Sequence, residues 1–433
     1  MKRRFVFAIY ILVCAPALLS AQTGPTLSLQ QAEQTALSNH PAIFSAQANA
    51  LASNQIVREA RSSYFPTISA DVTASVADRD SRLAAGFLSN SRLFNRFAQG
   101  MTIDQIITDS GRTKNLVASS RLSAQAASAS TQATREDVLV SVDQAYFEVL
   151  RAQALLRVAK ETIDERQVVM DQVSAMVQNK LKSNLDLSFA NVNLAQAKLL
   201  RIQAQDNLKI AQAQLTRAMG LGTPRPYTLE DQPMPPALPS TAAPLVIEAL
   251  QKRPEITALT LNRQSAYKFE RAEKDLSLPT VAAVGVAGYI PDIEQLTLPR
   301  TIPDHYEAAG VDIQVPVFNG HLFAARRQAA MLKAQAADDD LRNMQQRIAR
   351  DVRVAWANAV TSYQQIGVAN QLLSQAKLAL SLAQGRYNLG LGSIVELSQA
   401  QLNETQAEIQ DVNARYDFQS RNAELQYEMG VLR

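Results

Sequence analysis

The sequence predicts a mainly α-helical fold with a small β part, built from duplicated long helical hairpins and four amphipathic strands per chain. Three observations predict it. Prolines, glycines and apolar residues occur twice with the same spacing. Long proline-free runs in both copies carry apolar residues at the 3.5-residue period of coiled coils. Short segments of alternating polar and apolar residues precede each of these runs.

The first 21 residues are predicted to be a secretory signal peptide. Lys2, Arg3 and Arg4 precede an apolar run that ends in small residues around Ala21, which is the pattern of a cleaved leader. This run is too short for a comfortable transmembrane helix, and no later stretch supplies about 20 consecutive apolar residues. Any membrane insertion of the mature chain must therefore use strands.

The composition excludes several classes of function. The chain has 433 residues with 43 basic and 40 acidic side chains, and cleavage of the leader removes three basic ones. A mature chain with balanced charge offers no basic face for nucleic acid. The only cysteine, Cys14, lies in the leader after Val13, which disfavours lipidation. With three scattered histidines and no other cysteine, the sequence predicts no metal site, no cofactor and no catalytic site.

The internal duplication divides the chain. Pro41 and Pro66 recur as Pro254 and Pro279, a shift of 213, and later matches have a shift of 210. The later matches pair Gly100, Ile103, Ser183, Gln196, Ala197, Met219 and Gly220 with Gly310, Ile313, Ser393, Gln406, Ala407, Met429 and Gly430. We therefore predict a first repeat at 22–222, a proline-rich connector at 223–244 and a second repeat at 245–433.

Each copy is predicted to begin with a helix that a proline ends, followed by two strands. The helices are expected at 28–63 and 243–277 because Ala, Gln and Glu favour helix, and Pro66 and Pro279 stop them. The predicted strands are 67–76, 100–108, 280–289 and 308–318. The segments between paired strands, 77–96 and 291–304, are predicted to be polar loops.

A long helical hairpin is predicted to complete each copy. The first apolar seam consists of Val138, Val142, Ala145, Val149, Ala152, Leu156, Ala159, Ile163, Met170, Val173 and Val177, with Arg166 as the one polar member. The same seam recurs 210 residues later. A continuous helix at 112–180 would be a rod of about 100 Å. Turns are expected near 182–185 and 390–393, after which a second helix returns along the first.

Four strands are too few to close a barrel, and an open sheet cannot remain in lipid with unpaired edges. The chain is therefore expected to associate with copies of itself. Strands of this length approach the length that a transmembrane strand needs. Three chains would supply twelve strands, an even number within the range of outer-membrane barrels.

The duplicated order of helix, strand, loop, strand and long hairpin resembles the TolC family of outer-membrane factors along the whole mature chain. The local matches are the junctions 108–111 and 318–320 and the hairpin turn 387–397. The resemblance implies a homotrimer with a 12-stranded β-barrel in outer-membrane lipid, continued by a helical tunnel, or α-barrel, across the periplasm. It also implies a passive, non-enzymatic duct. A periplasmic adaptor protein and an inner-membrane transporter would be its partners in exporting small toxic compounds or proteins.

The resemblance places a periplasmic gate at the hairpin turns. Tyr387 and Asp186 match a tyrosine and a carboxylate that hold the closed state in relatives; the alternative is that Tyr387 closes the seam and Asp186 caps a turn. Glu396 matches an acidic ring and Gln399 the place of a second ring; the alternative for Glu396 is a solvated helix face. Relatives that have a gate arginine carry it where this chain has Gly392.

The resemblance also places adaptor docking at the turns. The residues that match the docking motif are Leu389, Gly390, Leu391 and Ser393, with Lys180, Leu181, Lys182 and Ser183 at the equivalent places of the first copy. The first copy therefore has lysines at both positions where the second has glycines.

Two other classes of protein remain as alternatives. A periplasmic adaptor also contains a long helical hairpin, but it should have one hairpin between β-rich segments. A periplasmic carboxylate hydrolase would need a compact pocket. A rod rich in Ala and Gln offers no such pocket. Asp338, Asp339 and Asp340 are interpreted as a solvated helix face, because successive helical residues point in different directions.

Overall fold

The computed structural model describes residues 26–432 except 77–81, 84–90, 93–95, 224–225, 237 and 291–303. The predicted signal peptide, Cys14 and most of the two predicted polar loops lie outside the described residues. The elements in chain order are β1 (Thr26–Leu27), α1 (Leu29–Asn39), α2 (Pro41–Ser62), β2 (Thr67–Ser75), β3 (Arg82–Leu83), β4 (Ser91–Arg92), β5 (Arg96–Thr108), α3 (Arg112–Gln178), α4 (Asn184–Ala218), β6 (Thr228–Leu229), α5 (Ala243–Lys252), α6 (Pro254–Asp275), β7 (Thr280–Tyr289), β8 (His305–Gln314), α7 (Leu322–Asn388) and α8 (Ile394–Glu428).

Two long helical hairpins dominate the fold and confirm its predicted class. The helices α3 and α7 have 67 residues each, and α4 and α8 have 35 residues each. At about 1.5 Å per residue, the longer pair are rods of about 100 Å. All four begin and end at positions separated by 210 residues. The predicted seams are buried or half-buried along both rods.

The helix predicted at the start of each copy is divided into two shorter helices. A single helix was expected at 28–63 and at 243–277, but each is divided in two, at His40 and at Arg253. Both residues have extended backbone, with ψ of 123°, and the next residue is a proline at the first helical position. Proline disfavours helical backbone angles in the residue before it. Proline itself is well suited to the first position of a helix. The His40-Pro41 and Arg253-Pro254 pairs therefore cause the kink in each copy.

The four predicted strands form one antiparallel sheet in the order β2-β5-β7-β8. The strand β7 has the predicted bounds, β5 starts four residues earlier than predicted, and β8 runs from His305 to Gln314 rather than over 308–318. Pro316 lacks an N–H for the ladder, so the strand ends before it. The sheet joins the two copies, because β5 of the first pairs with β7 of the second.

One face of this sheet is mainly apolar, with Gln99, Gln105 and Glu307 as polar members. The register places Ile68 opposite Ile103 and Ala70 opposite Met101, and Val311 follows on the same face of β8. The other face carries Thr67, Ser69, Asp71, Thr73, Thr102, Asp104, Asp312 and Gln314. The large apolar side chains are exposed in the single chain. This face is therefore a candidate lipid-facing surface.

Three apolar clusters hold the helices together. Two of them lie where the short opening helices pack on α3 and α7, and the third lies near the hairpin turns. Tyr146 and Trp356 occupy equivalent positions in the first two; Tyr146 donates to the carbonyls of Leu27 and Glu230, and Trp356 to that of Pro239. Among the described residues, no helix has the length and hydropathy of a membrane span.

Candidate functional site at the hairpin turns

The turns of the two hairpins lie together at one end of the fold. The apolar cluster beside them draws Val173 from α3, Ala190 from α4, Tyr387 from α7 and Leu397 from α8. All four long helices therefore meet next to the turns, and the residues predicted for gating and docking are brought into one region.

The first turn runs from Asn179 to Ser183, slightly before the predicted 182–185. Lys180 has a positive φ of 61°. Ser183 caps α4: its hydroxyl oxygen accepts from the N–H of Asp186 at 3.2 Å, and Asp186 Oδ2 accepts from the N–H of Ser183 at 2.9 Å. This reciprocal arrangement satisfies two backbone donors at the helix start. Asp186 thus has a capping role in the single chain.

The second turn follows the same path with other side chains. Gly390 has a φ of 75°, and Ser393 accepts from the N–H of Glu396 at 3.1 Å. Arg386 reaches across the turn, where its Nε lies 3.1 Å from Glu396 Oε1 and its Nη2 donates to the carbonyl of Leu391. Glu396 is therefore partly neutralised within its own chain, although it is exposed to solvent.

Tyr387 lies at the centre of this region. It is 2% exposed, and its buried hydroxyl has no hydrogen-bond partner among the described residues. Burial and the negative charge of Asp186 raise the pKa of Tyr387 above its ordinary value. The Nζ atom of Lys182 lies 4.1 Å from the ring centroid. The tyrosine is thus near Asp186 without bonding to it in this structure, and its role in a gate stays a prediction.

The predicted docking residues point their apolar side chains outward. Leu181, Leu389 and Leu391 are 73%, 76% and 68% exposed. Gln399 lies further along α8, where its amide donates to the Asn403 side chain at 2.9 Å. Three exposed leucines on two neighbouring turns form a small apolar tip with lysines on one side.

The comparisons with known proteins agree with this architecture. The family model described as "Outer membrane efflux protein" matches residues 32–221 and 245–431, one match in each half of the chain. The chain belongs to this outer membrane efflux protein family. It is 22% identical over 433 residues to the outer membrane protein TolC of Escherichia coli (strain K12), covering 96% of this chain and 86% of that protein.

Solved structures of outer-membrane channels share the fold. CusC superposes with a TM-score of 0.78 at 19% identity and covers 93% of this chain and 92% of its own. The open-state MtrE channel of Neisseria gonorrhoeae gives a TM-score of 0.75 at 20% identity, covering 94% and 89%. This efflux-family chain is therefore an outer-membrane protein that extends into the periplasm, and its homologues are transport proteins. The alternative of a periplasmic adaptor is not supported.

The efflux-family chain also has a buried polar residue near the turns. Arg166 of α3 donates through Nη2 to the carbonyl of Gln401 and to Thr405 Oγ1, each at 2.8 Å, and lies 4.0 Å from Glu404. Burial and the charge of Glu408 raise the pKa of Glu404 to about 7. Removing one partner of such a pair would leave an uncompensated buried charge. Arg166 thus fixes the position of α3 on α8.

Sequence reasoning noted Arg166 only as the polar member of a seam, and that break in the pattern was the signal for a buried ion pair. It missed Arg386 as the partner of Glu396, and it gave Lys182 no role beyond the docking turn. Within the part of the chain that the structure describes, no group of three His, Cys, Asp or Glu residues could hold a metal ion.

Proposed function

We propose that this chain is the outer-membrane exit duct of a tripartite efflux or type I secretion system, a homotrimer that exports small toxic compounds or proteins passively. The observation that carries the proposal is the four-stranded sheet, which has one exposed apolar face and lies at the opposite end of the long helices from the turns. A sheet of this kind is stable in lipid only when its outer strands find partners.

Self-association satisfies those strands. The outer strands of the sheet are β2 and β8, which pair on one side only within the described part of the chain. Pairing β8 of one chain with β2 of the next would close twelve strands from three chains, within the range of outer-membrane barrels. The twelve long helices of the same trimer would continue the wall as a tunnel, with about 100 Å of reach into the periplasm.

The turns suit the proposed partners. Leu181, Leu389 and Leu391 would lie at the periplasmic end of the tunnel, furthest from the membrane. A cluster of exposed apolar side chains at a tip is typical of a contact surface for protein partners. We assign it to the periplasmic adaptor that joins the duct to an inner-membrane transporter.

The lipid-facing assignment is tested with a pair of neighbouring residues. Val72 lies on the apolar face of β2 and Thr73 on the polar face. A lysine on the lipid face of a barrel costs about 2–4 kcal/mol near the membrane midplane. We expect Val72→Lys to lower the yield of detergent-resistant trimer in the outer membrane, while Thr73→Lys assembles and forms channels in planar bilayers. Equal yields from both variants, or a soluble monomer from the unmodified chain, would contradict the duct.

The docking assignment is tested by charge at the tip. We expect Leu181→Asp or Leu391→Asp to abolish export in cells while the trimer still assembles, because a buried aspartate would have no partner in an apolar contact. Leu181→Met is the matched control and should retain export. Full export by both aspartate variants would show that the adaptor contacts another surface.

A further inference from the structure

A cation–π contact joins the two copies at the turns. Lys182 belongs to the first turn, and Tyr387 belongs to the last turn of α7 in the second copy. The Lys182 ammonium lies 4.1 Å from the centroid of the Tyr387 ring. A cation within about 6 Å of the centroid is attracted by the ring quadrupole, more strongly when the pair is partly desolvated.

The ring of Tyr387, and not its hydroxyl, makes this contact. The hydroxyl is buried and has no hydrogen-bond partner among the described residues. The nearby Asp186 accepts both the N–H and the hydroxyl of Ser183, at 2.9 and 2.7 Å. The Tyr387 hydroxyl makes no bond to Asp186 in this structure, whereas the Lys182 cation is already in place on the ring.

The contact occurs once per chain although the fold is duplicated. The position equivalent to Lys182 in the second copy is Gly392, and the position equivalent to Tyr387 in the first copy is Val177. Neither a glycine nor a valine can form the same contact. The contact therefore joins a lysine of the first turn to a tyrosine of the second hairpin, and the reverse pairing cannot form.

We propose that Lys182 is a gating residue that holds the first hairpin turn against the second by its cation–π contact with Tyr387. This inference rests on the proposed function, in which the turns form the periplasmic mouth of the duct. Three such contacts in a trimer keep neighbouring hairpin tips together, and their release lets the tips separate and the mouth widen. A contact of about 1 kcal/mol corresponds to about a five-fold change in the open fraction for each latch.

The test is single-channel conductance of the full-length trimer in planar bilayers. We expect Lys182→Gln and Tyr387→Leu to raise the open fraction at least about five-fold. Lys182→Arg and Tyr387→Phe keep a cation and an aromatic ring, so they should retain the low open fraction. Lys198→Gln, which removes an exposed lysine from α4, is the control for lost charge.

Four outcomes decide the matter. Opening by Lys182→Gln with retention by Tyr387→Phe supports the cation–π latch, and the double variant Lys182→Gln/Tyr387→Leu should then open no further than either single one. Opening by Tyr387→Phe would overturn it in favour of a hydroxyl bond. Wild-type behaviour of Lys182→Gln, in a trimer that assembles normally, would also overturn it. A wild-type protein that forms no channel would instead refute the proposed function itself.

Discussion

The two hairpin turns have the same backbone and different chemistry. Lys180 and Gly390 occupy equivalent positions with φ of 61° and 75°, and Ser183 and Ser393 both cap the returning helix. The first turn is basic, whereas the second has glycines and an internal Arg386–Glu396 ion pair. Duplication thus preserved the geometry of the fold, while the side chains at the turns diverged.

The same relation holds at the other end of the helices. Gly220 and Gly430 end the two hairpins with φ of 73° and 67° and pack on the kinks at His40 and Arg253. Each kink is a proline junction, but His40 contributes only a cap, while Arg253 is buried and pairs with Glu255 and Glu428. Comparing the copies by mutation separates what the backbone requires from what the side chains add.

The largest expected effect is at the glycines that end the hairpins. A Cβ on Gly220 would lie 2.6 Å from His40 Cα, whereas on Gly430 its nearest contact would be 3.1 Å from Arg253 N. Both residues also have left-handed backbone, which disfavours alanine. We expect Gly220→Ala to cost about 3 kcal/mol and Gly430→Ala about 2 kcal/mol. Melting temperatures of the two variants by circular dichroism check the order; equal losses would show that backbone strain alone sets the cost.

A buried carboxyl pair in the first copy is a source of pH dependence that has no equivalent pair in the second. Burial, with the charge of Glu33, raises the pKa of Asp143 to about 8. The equivalent residues in the second copy are Val246 and Arg353. Because the pKa of Asp143 is raised in the folded chain, its contribution to stability is greatest below about pH 4 and falls as the pH rises towards about 8.

Asp143→Asn should remove that dependence. The amide cannot ionise, so we expect the variant to be more stable than the wild type at about pH 8, by about 2 kcal/mol, and to lose this advantage at about pH 4. Thermal melts at both pH values measure the difference. Parallel pH profiles for the two proteins would show that Asp143 does not titrate with folding.

The loss of stability on substitution should differ less between the two copies at the equivalent aromatic residues Tyr146 and Trp356. Tyr146 is fully buried and bonds two carbonyls, whereas Trp356 is half-buried and bonds one. Loss of a buried hydrogen bond costs about 1–3 kcal/mol through the group left unsatisfied. We expect Tyr146→Phe to cost about 2 kcal/mol. Trp356→Phe should cost about 1 kcal/mol; a larger loss there would mean that ring area, and not bonding, sets the cost. Chemical denaturation of the two variants compares them.

The smallest effect should come from exchanging the turn residues. Lys180 holds a conformation that glycine adopts freely, so Lys180→Gly should stabilise the fold by about 1 kcal/mol and Gly390→Lys should destabilise it by about as much. Melting temperatures measure both. A loss of stability in Lys180→Gly would show that the lysine side chain makes a contact that outweighs the backbone strain.

The sequence predicted the elements that depend on periodicity. The seam from Val138 to Val177 and its copy located both rods, because a 3.5-residue period is a local property of the chain. Pro66 and Pro279 fixed the starts of β2 and β7 for the same reason. An X-Pro pair also marks each of the kinks at His40 and Arg253. They were not predicted, because a proline at the first position of a second helix was taken as part of one continuous helix.

The candidate site was harder to predict because its contacts join residues that no local pattern relates. Lys182 and Tyr387 are far apart in sequence, and no sequence pattern predicts that they are in contact. The Arg386–Glu396 pair crosses a turn whose path depends on the glycine conformations. The periodic pattern showed where the turns are, whereas the partners of each side chain required the packing of four helices.

The matched lengths of the rods constrain how such a chain can change. The helices α3 and α7 have 67 residues each, and their partners have 35 each. Adding residues to one rod alone would push its turn about 1.5 Å per residue beyond its neighbour and carry Lys182 away from Tyr387. Viable insertions and deletions should therefore arise in pairs, one in each half of the gene, so that the length of the two hairpins changes in matched steps.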